Sequence, residues 1–251
     1  MGKNRFETYT FVLVHKIGIV KINSSLLNTK LASSKRKTDV VNKTYKIKEI
    51  HYTLQGEAFH SGRPAVFCRF SGCNLWSGLE KDRPKAICQF CDTDFWGTDG
   101  NQGGKYTGEE LCAQIDSLWP ILAKHKFVVF TGGEPLLQLD AALCDLMHDA
   151  GFEVAVETNG TIERPLGIDW LCMSPKANTE IVITSGDELK VIYPQKGINP
   201  ADFVDMMFSN HYLQPMDNPV QENNIAECIA YCKKHPKWKL SLQTHKILNI
   251  P

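Results

Sequence analysis

The chain has 251 residues, 43% hydrophobic and 22% charged, enough for one ordinary globular domain with a sizeable core, or at most two small ones. Lys and Arg number 28 and so do Asp and Glu, for a formal net charge of zero, which argues against a nucleic-acid partner held through basic excess. No stretch approaches the roughly 18 consecutive apolar residues of a membrane-spanning helix, so the sequence reads as a soluble protein without a membrane partner.

The neutrality hides a break. Residues 1–44 hold nine basic side chains (Lys3, Arg5, Lys16, Lys21, Lys30, Lys35, Arg36, Lys37, Lys43) and two acidic ones (Glu7, Asp39), so this segment carries +7 and residues 45–251 carry −7. Such a shift marks a basic N-terminal extension joined to a core domain over residues 45–251. Its apolar run, Phe11 to Val14, is interrupted by His15 and Lys16 and is followed by no small-residue cleavage site, against a secretory signal. A disordered tail, or a start codon placed too early, is the expectation. The nine cysteines are an odd number in a chain too long and apolar to need disulfides, so reduced thiols and a cytoplasmic location are expected.

After residue 44 the chain alternates short apolar runs with helical patterns. Strands are predicted over 65–70, 127–130, 153–157, 168–172, 188–193, 211–214 and 239–243, most of them rich in Val, Ile or Phe as befits strands buried on both faces. Thr107 and Glu110 form a capping-box pattern ahead of Leu111, Ile115, Leu118 and Leu122 on one helical face. Leu143, Leu146, Met147 and Ala150 repeat likewise with Gly151 as a stop, and a third helix is predicted over 222–235. Alternation of this kind makes right-handed β-α-β units and a parallel sheet. The part after residue 44 falls short of the ~250 residues of a complete eight-fold barrel. The fold class is therefore α/β, a partial or open β/α barrel with short helices, with a doubly wound sheet as the alternative.

Functional groups belong at the carboxyl ends of parallel strands, and that is where the polar clusters fall. Successive strands run into Ser71-Gly72-Cys73, Thr131-Gly132-Gly133-Glu134-Pro135, Thr158-Asn159-Gly160, Met173-Ser174-Pro175-Lys176 and Pro215-Met216-Asp217, which describes one rim of one site. Cys88-Gln89-Phe90-Cys91 is a C-x2-C pair, and Cys73 precedes it by a long loop. Alone, such a pair marks zinc or thiol redox chemistry as readily as anything else. A structural zinc wants a fourth ligand, for which His51, His60 and Cys68 have no convincing spacing. Three thiols on a cubane iron-sulfur cluster leave one iron open to an outside ligand, and the rim glycines favour that reading. The other six cysteines, including Cys228 and Cys232 on one helical face, read as packing residues. In the Gly-Gly-Glu-Pro turn, the glycines admit a ligand close to the backbone and Glu134 offers a carboxylate suited to an ammonium group.

These residues resemble a known family. Cysteine-ligated clusters followed by Gly-Gly-Glu-Pro after the next barrel strand are a mark of radical S-adenosylmethionine enzymes, although most of those space their cysteines C-x3-C-x2-C and this chain has C-x14-C-x2-C. Residues 52–57 (YTLQGE), 63–70 (RPAVFCRF), 91–93 (CDT) and 243–246 (QTHK) together resemble 7-carboxy-7-deazaguanine synthases with the expanded cysteine loop, over residues 45–251. The resemblance implies conversion of 6-carboxy-5,6,7,8-tetrahydropterin to 7-carboxy-7-deazaguanine with loss of ammonia, on the route to queuosine and related deazapurines. It implies a [4Fe-4S] cluster, S-adenosylmethionine cleaved to a 5′-deoxyadenosyl radical that takes a hydrogen from the pterin, and assisting Mg2+. It also implies an electron donor such as flavodoxin or ferredoxin, and a homodimer.

Carried over by motif, Cys73, Cys88 and Cys91 would ligate the cluster and Thr93 would contribute to the Mg2+ site. Leu54, Gln55, Gly56, Arg69, Thr131 and the terminal carboxylate of Pro251 would hold the pterin, Arg69 through the match of a guanidinium fork to a carboxylate. Gly133, Ser174, Pro175, Lys176, Gln214, Pro215, Met216 and Asp217 would hold S-adenosylmethionine. No protein acid or base is assigned, with Glu57, Glu157, Asn159 and His245 as second-rank candidates.

Overall fold

The computed structural model describes residues 43–120 and 123–251. These contain the strands β1 (Thr44–Leu54), β2 (Pro64–Phe70), β3 (Gly104–Thr107), β4 (Lys126–Gly132), β5 (Phe152–Thr158), β6 (Trp170–Met173), β7 (Ser185–Tyr193), β8 (Met207–Pro215) and β9 (Trp238–Leu240). The helices are α1 (Gly108–Leu118), α2 (Ala141–Asp149), α3 (Gln221–Lys234) and α4 (Thr244–Leu248), with short 3-10 turns between. All nine strands join in one sheet in the order β3-β1-β2-β4-β5-β6-β7-β8-β9.

From β2 onward every neighbouring pair is parallel. The spatial order there follows the chain without reversal, whereas a doubly wound sheet must reverse at its switch point. Right-handed crossovers that all step one way keep the helices on one face and leave the other concave. The sheet ends at β3 and β9 without closing. An open parallel barrel therefore forms, and the doubly wound alternative falls.

The wall is apolar as the sequence demands: Phe127 to Phe130, Val154, Val156, Leu171, Leu189, Val191 and Leu213 are buried. The capping box is made, with Glu110 N–H donating to Thr107 Oγ1 at 3.2 Å and Thr107 N–H to Glu110 Oε2 at 2.8 Å. α1 then stops at Leu118 ahead of Pro120, which cannot continue the helix; the predicted contact residue Leu122 lies outside the described residues. α2 buries Leu143 and Met147, and Gly151 follows it at φ +84°. Cys68, Cys144, Cys172 and Cys228 are buried, while Cys112 and Cys232 pack partly buried against the core.

Three expectations need correction. β1 and β3 were not predicted, and they pair antiparallel, adding a meander to the parallel wall. β1 escaped because its buried apolar residues Tyr45, Ile47 and Ile50 are interleaved with charged Lys46, Lys48 and Glu49, of which Lys48 is itself buried, and a bulge between Ile47 and Glu49 breaks the two-residue period. The strand predicted over 239–243 is only Trp238–Leu240. One further backbone bond, Ser241 N–H to Leu213 O at 2.8 Å, ties the chain to β8 past Leu240, and the Ser241 hydroxyl bonds Gln214 Oε1, also at 2.8 Å. Finally, of the basic extension, residues 1–42 lie outside the described region, but Lys43 and Thr44 belong with the folded part: Lys43 Nζ reaches Asp140 Oδ2 at 2.5 Å and Thr44 opens β1.

Candidate active site

The polar strand ends converge. Cys73 after β2, Gly132 and Gly133 closing β4, Thr158 and Asn159 at the end of β5, Ser174 and Lys176 after β6, and Pro215 to Asp217 after β8 line one cavity of about 400 Å3, within the range of small-molecule sites. Glycine is required where β4 leaves the sheet. A Cβ at Gly133 would lie 2.2 Å from Gly72 O and 2.7 Å from Cys73 Cβ, so only a bare backbone passes the cysteine.

Glu134 is engaged by the scaffold. It is 0% exposed, and its two oxygens accept from Leu136 N–H (2.9 Å), Thr158 Oγ1 (2.8 Å) and Asn159 N–H (2.7 Å). The carboxylate is spent tying the β4 turn to the end of β5. Burial pushes its pKa up against those hydrogen bonds.

Cys73, Cys88 and Cys91 all face this cavity. Leu75 N–H donates to Cys73 Sγ at 3.4 Å, and Leu75 O accepts from the N–H groups of Ile87 and Cys88 at 3.1 and 3.4 Å, which folds the long loop back on its start. Burial pushes the Cys73 and Cys91 thiols up, so a metal binding there must displace their protons. Among the described residues no three His, Cys, Asp or Glu side chains converge on a single-ion arrangement. The three thiols instead border a shared space, which suits one thiolate per iron of a cluster. The Lys176 ammonium is held by Ser174 O and Oγ at 2.7 and 2.8 Å, and burial pushes its pKa down while charge on Cys88 and Cys91 opposes that.

Across the cavity floor runs a network that joins distant elements. The loop after β1 crosses the concave face, so that Gln55 Nε2 donates to Glu157 Oε1 on β5 at 3.1 Å, Ala58 N–H bonds Ser241 Oγ at 3.0 Å, and Glu57 pairs with Lys190 on β7. Glu57 Oε1 also accepts from Gln214 and Gln243, both at 3.0 Å. Glu157 Oε2 accepts from Thr131 Oγ1 at 3.0 Å, and its other oxygen is 3.7 Å from Lys190 Nζ. Burial alone would raise the Glu57 pKa, but the Lys190 charge and hydrogen bond, helped by Gln243, bring it down to about 2.

The C-terminal segment completes the wall. Gly56 O accepts from both Thr244 N–H and Thr244 Oγ1 at 2.9 Å, and the His245 ring lies so close that a Cβ on Gly56 would fall 2.1 Å from its Nδ1. Lys246 Nζ bridges Asp92 and Asp217 at 2.7 and 2.5 Å, and Pro251 O accepts from Thr53 Oγ1 at 2.9 Å.

Of the residues singled out from sequence, Leu54, Gln55, Gly56, Glu57, Arg69, Thr93, Thr131, Glu157, Gln214, Met216, His245 and Pro251 also line the cavity. Pro175 does not: it is buried behind the wall, its carbonyl 3.5 Å from Gln195 Nε2, and it shapes the turn instead. Arg69 Nε is engaged by Glu49 at 2.8 Å. Asn159 serves the scaffold, bonding Asn74 and Thr161. Sequence reasoning missed Lys190 and Gln243 as members of the floor. Lys190 had a signal: with Glu188 it places charge at every second residue on one face of an otherwise apolar strand.

An open, singly wound parallel barrel whose strand ends gather three thiols around one cavity is the core of a radical S-adenosylmethionine enzyme. The chain is 56% identical over 209 residues to the 7-carboxy-7-deazaguanine synthase of Burkholderia multivorans, covering 83% of this chain and 100% of that protein. It is 42% identical over 205 residues to the synthase of Bacteroides thetaiotaomicron, covering 82% and 98%. The crystal structure of QueE from Escherichia coli superposes with a TM-score of 0.64 at 28% identity, over 84% of this chain and 99% of that one. No family model matches. The chain belongs to the 7-carboxy-7-deazaguanine synthase family.

Proposed function

We propose that the cavity converts 6-carboxy-5,6,7,8-tetrahydropterin to 7-carboxy-7-deazaguanine with loss of ammonia, on the route to queuosine and related deazapurines. The observation that carries this reading is the meeting of Cys73, Cys88 and Cys91 with Gln55, Arg69, Thr131 and Pro251 around one cavity, in a chain 56% identical to a synthase along that relative's whole length.

Cys73, Cys88 and Cys91 would hold a [4Fe-4S] cluster, with Gly133, Ser174, Lys176 and residues 214–217 holding S-adenosylmethionine beside it. Together these supply, on reduction, a radical that abstracts hydrogen. The chain's own residues bind and orient. Glu157 holds Gln55 and Thr131 at fixed angles, and Glu57 N–H holds Gln55 Oε1, so the second Gln55 amide N–H and the lone pairs of the Thr131 hydroxyl are what they offer a pterin. Arg69 spends Nε on Glu49 and turns the rest of its fork to the pterin carboxylate. Leu54 and Gly56 form the adjoining wall, with Pro251, whose O accepts from Thr53 Oγ1, at its edge. Thr93 supplies a hard oxygen for Mg2+, which keeps most of its waters. Glu57 and Glu157, already engaged with Lys190, act as acceptors for ring N–H groups; His245 stands against Gly56 as a further contact.

Residues 1–42 are read as a basic extension beyond the catalytic domain, because the Burkholderia relative is matched completely by 83% of this chain; a chain lacking them is expected to keep its turnover. A flavodoxin or ferredoxin as reductant, a homodimer and a cytoplasmic setting follow from the family reading and from nine free cysteines. The test is anaerobic: protein reconstituted with iron and sulfide, reduced, and given carboxytetrahydropterin, S-adenosylmethionine and Mg2+ yields ammonia and the deazaguanine acid. A colourless protein holding zinc, or a loaded one that releases no ammonia, overturns the proposal.

A further inference from the structure

The long cysteine loop carries a small core of its own. Trp76 meets Phe95 edge-on at 5.4 Å between ring centroids, and Trp76 Nε1 donates to Leu79 O at 3.2 Å. The Arg83 guanidinium lies 3.9 Å over the Trp76 ring. Its Nε and Nη2 donate to Glu80 at 2.8 and 2.6 Å, and Nη1 donates to the carbonyls of Gln89 and Cys91, both at 3.0 Å.

Gln89 and Cys91 belong to the C-x2-C turn. One planar cation therefore stacks on the insertion, is steered by Glu80, and grips the turn that presents two of the three thiols. A guanidinium does this because its donors diverge in a rigid plane while its face packs on an aromatic ring; an ammonium is a point charge and does one or the other. The positive charge also sits near Cys88 and Cys91, where thiolates and a cluster would place negative charge.

Resting on the cluster reading above, we propose that Arg83 is a positioning residue for the iron-sulfur centre: it sets the geometry of the C-x2-C turn through the Gln89 and Cys91 carbonyls and holds a permanent positive charge beside two cluster ligands. Removing the contacts loosens the cluster. Removing the charge disfavours the reduced, more negative cluster and lowers its potential.

The experiment compares the full chain with Arg83→Met, Arg83→Lys and Lys85→Met after anaerobic reconstitution. Lys85 is exposed in the same 3-10 turn, so Lys85→Met removes an equal charge without these contacts. Iron per chain, the rate of cluster loss to a chelator, the reduction potential, the electron-spin spectrum of the reduced cluster and the thermal midpoint are measured. Arg83→Met is expected to lose its cluster about tenfold faster, the scale of one charged hydrogen bond, with a lower potential and an altered spectrum but an unmoved thermal midpoint of the apoprotein. Arg83→Lys should lose the cluster faster yet keep its potential, and it carries the test if Arg83→Met fails to fold; Lys85→Met should match wild type. Wild-type retention, potential and spectrum in Arg83→Met overturn the proposal, and so does a lowered apoprotein midpoint with unchanged potential, which marks a merely structural arginine. Wild-type protein that takes up no iron overturns the functional reading itself, and this inference with it.

Discussion

The floor of the cavity and its cysteine-bearing wall are built on opposite plans. On the floor, Lys190 is 5% exposed and is held between Glu57 and Glu157, each of which hydrogen-bonds side chains from further elements. Along the wall, one partner of each ion pair reaches water: Glu80 is 77% exposed in its pair with the half-buried Arg83, and Asp94 and Asp99 are 73% and 75% exposed in theirs with the buried Lys48. Exposed pairs contribute little to stability, whereas breaking a buried pair strands a charge. The floor is thus organised before any ligand arrives, and the wall takes its final stability from what binds its thiols.

The sharpest break in that contrast is Lys190→Met. It leaves Glu57 and Glu157 facing each other in a buried site, and a loss of about 3–5 kcal/mol in urea unfolding is expected; an unchanged midpoint would show that the floor owes nothing to its lysine. Gly133→Ala tests the junction of floor and wall. A methyl group 2.2 Å from Gly72 O forces the β4 turn away from Cys73, costing about 1–3 kcal/mol and lowering iron uptake, both measurable on one preparation.

Acid titration separates the regions next. Glu57 is depressed to about 2, below the ordinary carboxylate range, so its contribution is present above the unfolded pKa and lost as pH falls from about 4.5 toward 2. Unfolding followed across that window should show a falling stability that is flatter in Glu57→Gln; equal slopes would remove the pair from the ledger. The smallest effect belongs to the wall: Glu80→Gln should leave the apoprotein's unfolding midpoint in place while modestly quickening cluster loss, and a large drop in the midpoint would mean the loop is part of the scaffold after all.

Legibility in the sequence followed the same division. The C-x14-C-x2-C spacing, the glycines of the β4 turn and the rim clusters are written in short stretches of sequence, and every residue carried over from the family motifs except Pro175 lines the cavity. The scaffold role of Glu134 left no trace in sequence because two of its three donors, Thr158 at the end of β5 and Asn159 just after it, lie more than twenty residues on. Lys190 was overlooked because its partner Glu57 lies 133 positions away in the chain. β1 was missed because a bulge disturbs its period.

By itself the amino-acid sequence determined the elements, their alternation and the chemical types gathered at their ends, since apolar period, capping pairs and turn glycines act over a few residues. Only the tertiary structure decided which way each polar group faces: Glu134 into the scaffold, Glu57 onto Lys190, Arg83 onto the cysteine turn. Those choices rest on desolvation and hydrogen-bond satisfaction between segments far apart in the chain, which have no periodic trace in sequence.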